Sequence, residues 1–226
     1  MTGREWERVR TTFSTASREL PGKYPREALL QLHRPILALL ESAAIAGDLE
    51  RRRQILEFLA SRELQPDEID CLVLLLRAAA ADRRPRWPGA LGLESLHERV
   101  KQALTAALNE PPRAAEDWSM RAPSQCKCKL CRRLASFLVA RDRRRFDWPL
   151  AKDGRLHVHH TIGRHDLPVT HETRRSGRPF TLVLTKTRSL FERERAKRRK
   201  WTADLLWLEK QRHRFHSAPR GPGGSS

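Results

Sequence analysis

The chain is poor in aromatic residues and in cysteine. Of 226 residues only 6% are aromatic, one is tyrosine and four are cysteine. So few large rings argue against a sandwich or barrel, whose strands favour aromatic and β-branched side chains. The opening Met1-Thr2-Gly3-Arg4-Glu5-Trp6 has no apolar stretch, so a secretory leader is not expected. No run reaches the roughly 18 apolar residues of a membrane span. The longest, Cys71 to Leu76, stops at Arg77. These absences lead to the expectation of a cytoplasmic protein, nuclear if the source is eukaryotic, with no membrane partner. Signatures of familiar active sites are missing too: there is no G-x-S-x-G, H-E-x-x-H, P-loop or G-x-G-x-x-G. The leading expectation is therefore a non-enzymatic binding protein, with an unfamiliar metalloenzyme as the last alternative.

Acidic residues are scarce in one half only. From Met1 to Met120 there are 18 Lys/Arg and 18 Asp/Glu. From Arg121 to Ser226 there are 27 Lys/Arg against 9 Asp/Glu, so the whole net charge of +18 lies there. That asymmetry points to a polyanionic partner for the second half, nucleic acid first of all, DNA or RNA.

What the first half does have is helical periodicity. Arg4–Leu20 reads as a polar helix ended by Pro21-Gly22. Pro25–Ala46 reads as an apolar-faced helix that Pro35 should kink or break. Gly47-Asp48 should open a third helix, with Asp48 as N-cap and Ile55, Leu56, Phe58 and Leu59 inward. Asp67–Ala81, entered through Gln65-Pro66, and Leu91–Leu108 complete the set, with a loop over Arg83–Gly89. A neutral helical bundle or short helical array over residues 1–110 is expected, with Cys71 as an ordinary buried small hydrophobe. This half is also where a protein partner could bind.

Residues 111–124 read as a linker. A basic module follows over 125–214: a helix over Cys131–Arg141, strands over Val169–Arg174 and Pro179–Lys186 joined through Ser176-Gly177, and a long basic helix over Ser189–Arg214. The tail from 215 should be disordered. The expected fold class is thus mainly α, with a small α+β module carrying a β-hairpin.

Three of the four cysteines fall within six positions, Cys126-Lys127-Cys128-Lys129-Leu130-Cys131. In a reducing compartment such a cluster reads as a metal site before it reads as disulfides. Thiolates suit zinc, which takes four tetrahedral ligands, and Lys127, Lys129, Arg132 and Arg133 favour the anionic form of the sulfurs. Free thiols, a redox pair and an iron–sulfur cluster fit the spacing less well. A fourth ligand must come from the histidines downstream. His157 and His171 are the candidates, with His159, His160 and His165 better suited to the surface or to nucleic-acid contact. A site closed by three cysteines and one histidine is structural, because a catalytic zinc keeps an open position.

Cys126-x-Cys128-x-x-Cys131-x-x-Leu134-x-x-Phe137-Leu138, then Arg155-x-His157-Val158, then Thr170-His171-Glu172-Thr173-Arg174-x-x-Gly177-x-Pro179-x-Thr181-Leu182-Val183-x-Thr185-Lys186, and weakly Phe191-Glu192-Arg193, form a combined pattern. With it, the stretch from about Trp118 to Glu209 resembles the C-terminal region of fungal and bacterial proteins whose N-terminal part is a 2-oxoglutarate/iron(II) oxygenase of the prolyl-hydroxylase type. The resemblance implies a recurring Cys/His module marked by Cys126, Cys128, Cys131, His157 and His171. It does not extend to the oxidation chemistry. No His-x-Asp or His-x-Glu pair exists to hold iron, and the helical first half leaves no room for a jelly roll. A module working with a separately encoded oxygenase is therefore the alternative to nucleic-acid binding.

Phosphate contacts are expected from Arg143, Arg144, Arg145, Arg174, Arg175, Lys197, Arg198, Arg199 and Lys200, with Phe146, Trp148 and Trp201 available to stack on bases. Trp201, Leu205, Leu206 and Leu208 are expected instead to pack the last helix onto the protein.

Overall fold

A computed structural model describes residues 3–18, 23–61, 63–82, 87–123 and 126–216. The expected stop at Pro21-Gly22, most of the loop at 83–86 and the tail from Ser217 lie outside them. The chain forms two compact units. The first comprises Met1–Ser14, Ala28–Glu110 and Arg199–Ser226, the second Thr15–Glu27 and Pro111–Arg198.

The first unit is helical. Its elements are α1 (Gly3–Arg18, through Ser14), α2 (Lys23–Gln31, from Ala28), α3 (His33–Ile45), α4 (Leu49–Ala60), α5 (Pro66–Ala81), the single turn α6 (Trp87–Ala90), α7 (Glu94–Asn109), and α10 (Ser189–Phe215) from Arg199 on. The break expected at Pro35 falls at Leu32. Proline at the third position of α3 has no N–H to offer Gln31, and the chain turns through a Leu32 N–H to Leu29 carbonyl bond of 3.1 Å. The stretch Arg26–Ile45 has a mean hydropathy of 1.2 and the length of a membrane span. The turn splits it, and Ile36, Leu39, Leu40 and Ala43 are buried in the fold.

Gly47 and Asp48 make a double punctuation. Gly47 has φ of +67°, the left-handed conformation that costs glycine least. The Asp48 N–H reaches the Ala43 carbonyl at 2.9 Å and the Gly47 N–H reaches Ala44 at 3.3 Å, the two bonds of a Schellman stop. Asp48 Oδ1 then accepts the Arg51 N–H at 2.9 Å and starts α4. Ile55 and Leu59 are buried, while Leu56 and Phe58 are only partly so. Proline at N1 and a reciprocal Gln65–Glu68 capping box begin α5. Helix α3 packs on α4 and α5, and α5 on α7.

Trp201, Asp204, Leu208 and Phe215 of α10 are buried in this unit. Asp70 accepts the Trp201 indole N–H at 2.9 Å and the Lys200 ammonium at 2.8 Å. Asp204 accepts from Lys200 and from Arg77, each at 2.8 Å. Two buried carboxylates are thus neutralised by α10 and α5 cations. Burial alone would depress Lys200, but its bonds to Asp204 and Asp70 outweigh that and raise its pKa. The assignment of all of 125–214 to one module therefore gives way to a helix divided between units. Leu206, expected inward, is exposed, and Arg77 lies instead over the ring of Trp207 at 4.4 Å.

The second unit holds a three-stranded antiparallel sheet in the order β1-β3-β2, formed by β1 (Arg145–Pro149), β2 (Val169–Arg174) and β3 (Thr181–Lys186). Strand β1 falls on a segment read as a basic stretch. Helices α8 (Lys129–Val139) and α9 (Lys152–Arg164) complete the core with it, around Leu134, Phe137, Leu138, Trp148, Val158, Ile162, Leu182 and Leu184. Phe146, Leu184 and His171 share one row across the sheet, Asp147, Val183 and Glu172 the opposite face. Helix α9 ends like α3: Leu167 N–H to Ile162 carbonyl, Asp166 N–H to Gly163, with Asp166 at φ of +46°. Arg193 holds that strained aspartate through its carbonyl at 2.7 Å and its carboxylate at 3.0 Å.

Residues 111–123, expected as a linker, are built into this unit. Arg113 pairs with Glu194 at 2.7 Å and donates to the Ser119 carbonyl at 2.6 Å. Trp118 meets Phe191 edge to face, and Met120 enters the core. Proline content suggested a spacer, but Trp118 and Met120 are apolar groups worth burying, roughly 2 kcal/mol for a Met side chain.

Candidate metal centre

The cluster is built at the start of α8. Cys128 is its N-cap, with extended φ and ψ of −65° and 164°, and its sulfur accepts the Cys131 N–H at 3.3 Å. Cysteine here does what serine or aspartate does at other helix starts. Cys131 is one turn in, on the buried face that continues through Leu134 and Leu138. Helix α9 packs on α8, and Val158 and Ile162 turn its apolar side into the core. His157, next to Val158, is thereby brought to the cysteine turn.

His157 Nε2 lies 3.1 Å from Cys131 Sγ, 3.5 Å from Cys128 Sγ and 4.0 Å from Cys126 Sγ. All four donor atoms lie within 4.8 Å of one another. Around a tetrahedral zinc with bonds of about 2.3 Å to sulfur and 2.05 Å to nitrogen, the S···N separation is about 3.5 Å. The observed distances bracket that value, so the four residues fit a metal ion.

Ionisation in the cluster is uneven. The Cys128 thiol is lowered to about 6, mainly because the Cys131 N–H donates to its sulfur and against the opposing effect of burial. The Cys131 thiol is pushed up to about 12 by burial, then by its hydrogen bonds with Cys126 and Cys128. Three sulfurs at one point repel as anions, and a divalent cation is what lets all of them ionise together. Cys71, by contrast, is wholly buried in α5 and raised to about 12 by burial, an inert core thiol as expected.

His171 is not in the four-residue group. Strand β2 places it in the row of Leu184, where its ring meets His159 edge-on with centroids 4.1 Å apart. His159 and His157 are two residues apart on α9, hence on opposite sides of it, so a histidine against His159 is directed away from the cysteines. His171 Nδ1 is buried without a hydrogen-bond partner among the described residues. His159 is lowered by burial first and by His171 second. His165, expected at the surface, is buried at the end of α9, whereas His160 is exposed.

Lys186, the last residue of β3 and of the pattern Thr181–Lys186 but not among the expected site residues, serves the other end of α8. Its side chain is fully buried, lies over the Phe137 ring, and donates to the carbonyls of Leu138 at 3.1 Å and Ala140 at 2.7 Å. An ammonium there meets the negative end of the helix, where the Leu138 carbonyl also accepts the Met120 N–H at 2.9 Å, while the thiols sit at the positive end. Burial lowers Lys186 to about 8. The signal was present in the alternation Leu182-x-Leu184-x-Lys186, which directs all three to one face.

The basic residues separate into two groups. Arg145 and Arg174 both bind Asp147, at 2.9 and 2.8 Å, on the solvent face of the sheet. Asp147 is lowered mainly by its Arg145 hydrogen bond. Arg144 lies over Trp118 at 4.7 Å and donates to the Lys186 carbonyl. Arg143, Arg175 and Arg199 are exposed, and Lys197 and Arg198 are partly buried. Lys200 is a structural ion-pair partner rather than a free phosphate contact. Of the proposed stacking rings, Trp148 and Trp201 are buried, while Phe146 remains partly accessible with Arg133 and Arg143 each 5.5 Å from its centre.

Comparison with protein-family models, curated proteins and solved structures finds no match for the chain.

Proposed function

We propose that the second unit is a zinc-stapled module that binds nucleic acid through its phosphates and that the ion is structural. The observation that carries this reading is the convergence of Cys126, Cys128, Cys131 and His157 on one point in a half of the chain that holds the entire net charge of +18. Three thiolates and an imidazole favour zinc among common divalent ions and leave it no open position. The metal turn itself is cationic: Lys127, Lys129, Arg132 and Arg133 are all exposed around it. Arg143 beside Phe146 offers the pairing of a guanidinium with an accessible ring that tolerates any base. Fluorescence anisotropy with random-sequence single-stranded and duplex oligonucleotides at 50 and 200 mM salt tests this. Tight binding at the lower salt that falls steeply at the higher supports it. Absence of binding at the lower salt to either form removes it.

A second reading, a module that recognises a protein or substrate for a separately encoded 2-oxoglutarate oxygenase, draws on a different point. The segments that carry the family resemblance, the cysteine turn, α9 and the β2–β3 hairpin, all lie in one unit. Salt-resistant capture of a protein partner, with no oligonucleotide binding, favours it.

A further inference from the structure

A second group of donor atoms lies in the first unit, in residues that no motif marks. His97 Nδ1 is 3.2 Å from His216 Nε2, which is 3.1 Å from Glu98 Oε1. The same glutamate oxygen is 3.7 Å from His97 Nδ1. The three atoms form a triangle whose edges bracket those of one face of a zinc tetrahedron, where N···N is about 3.3 Å for bonds of about 2.05 Å.

The other nitrogen of each histidine is already committed. His97 Nε2 is 3.1 Å from the Leu208 carbonyl, an acceptor only, so the proton is on Nε2 and the lone pair on Nδ1. His97 is fully buried and its ring stacks on Phe215 at 4.8 Å, which fixes its orientation. His216 Nδ1 is 3.0 Å from Glu94 Oε1, a carboxylate, so that nitrogen also carries a proton. With His216 neutral, two nitrogen lone pairs and one carboxylate oxygen face a single point. Three acceptors cannot satisfy one another, and a positive charge must stand among them: a proton on His216 Nε2 or a metal ion. Pairs in which a histidine donates its outer N–H to a carbonyl or carboxylate while its inner nitrogen faces other donors are the outer shell of metal sites.

We propose that His97, Glu98 and His216 bind a divalent transition-metal ion of the zinc class. The Glu94 carboxylate and the Leu208 carbonyl orient the two rings, and a fourth position is left to water. The ion clips the C-terminal end of α10 to α7. It is independent of the cysteine site, in a different unit and with nitrogen and oxygen donors only.

The full-length chain, loaded with zinc and freed of excess by gel filtration, is the material for the test. Two equivalents of zinc are expected in the wild type and one in the partly exposed variants Glu98→Gln and His216→Gln. Cobalt(II) substitution reports the cysteine site separately through its thiolate charge-transfer band, which both variants should keep. If the cysteine site is the one that fails, that band is absent while one equivalent sensitive to His216→Gln remains. Histidine-ring ¹H–¹⁵N spectra of the wild type need no variant: zinc should shift the His97 Nδ1 and His216 Nε2 resonances. A wild type saturating at one thiolate-bound equivalent, with those two nitrogens unmoved, would overturn the proposal and leave His216 as a hydrogen-bonding bridge between Glu94 and Glu98.

Discussion

The Lys186 ammonium donates to the Ala140 carbonyl across 2.7 Å, from the last residue of β3 to the residue that ends α8. Helix α8 is therefore closed by a cation at one end and opens on a thiol cluster at the other. Since both termini are held by residues distant in the chain, the cysteine turn and the central strand β3 act on the same helix.

Removing Lys186 tests this coupling. Lys186→Met should keep the apolar stem and lose the head group, leaving the Ala140 carbonyl without its donor. A loss of about 1–3 kcal/mol in unfolding free energy is expected by chemical denaturation.

The same lysine makes a pH prediction. Its pKa is depressed to about 8 from 10.5, so between those values the unfolded chain holds a proton that the folded chain has released. Stability attributable to Lys186 therefore rises with pH through that window, by at most about 3 kcal/mol. Denaturation of zinc-saturated protein at pH 7.5 and 9.5 should show a gain in the wild type that Lys186→Met lacks. A wild type that loses stability relative to the variant as pH rises contradicts the burial argument.

The two histidines expected as ligands should behave oppositely. His157→Ala should strip metal from the cysteine site and expose the amides of 129–139 and 152–164 to hydrogen exchange, with 94–109 still protected. His171→Leu should retain the metal, because His171 lies against Leu184 and His159. It should not lower the melting temperature, since it replaces a buried nitrogen that has no hydrogen-bond partner among the described residues.

Asp147 restrains the arginines it holds. Asp147→Ala should free Arg145 and Arg174, tighten oligonucleotide binding, and steepen the salt dependence by about 0.9 in log–log slope for each phosphate gained. Lys200→Ala should leave that slope unchanged and instead destabilise the first unit, since Asp70 and Asp204 lose a shared cation. Titrations over a salt series on both variants separate the two roles.

Gly47→Ala is expected to cost about 1–2 kcal/mol even though a Cβ there meets nothing within 4 Å, because the penalty is backbone conformation at φ of +67° and not crowding. The melting temperature is the readout.

Much of the chain was legible residue by residue. The Gly47-Asp48 stop and start, the helix entry at Gln65-Pro66, the paired strands around Gly177, the long α10 and the cysteine turn all follow from local chemistry: caps, turn conformations and periodicity act within four or five residues. The strand β1 did not announce itself, because Arg145-Phe146-Asp147-Trp148 alternates but carries charges that read as a phosphate-binding run. Its alternation became informative only once β3 gave each residue a partner.

What tertiary packing decided is which distant groups meet. Seven histidines follow the cysteines, and only the seating of α9 on α8 brings His157, and not His171, to them. Nothing local assigns Trp201 and Lys200 to Asp70, or Lys186 to the end of α8. Those pairings join residues tens of positions apart or more, and their cause is the burial of apolar faces, which carries polar groups inward and obliges each to find a charge or hydrogen-bond partner there.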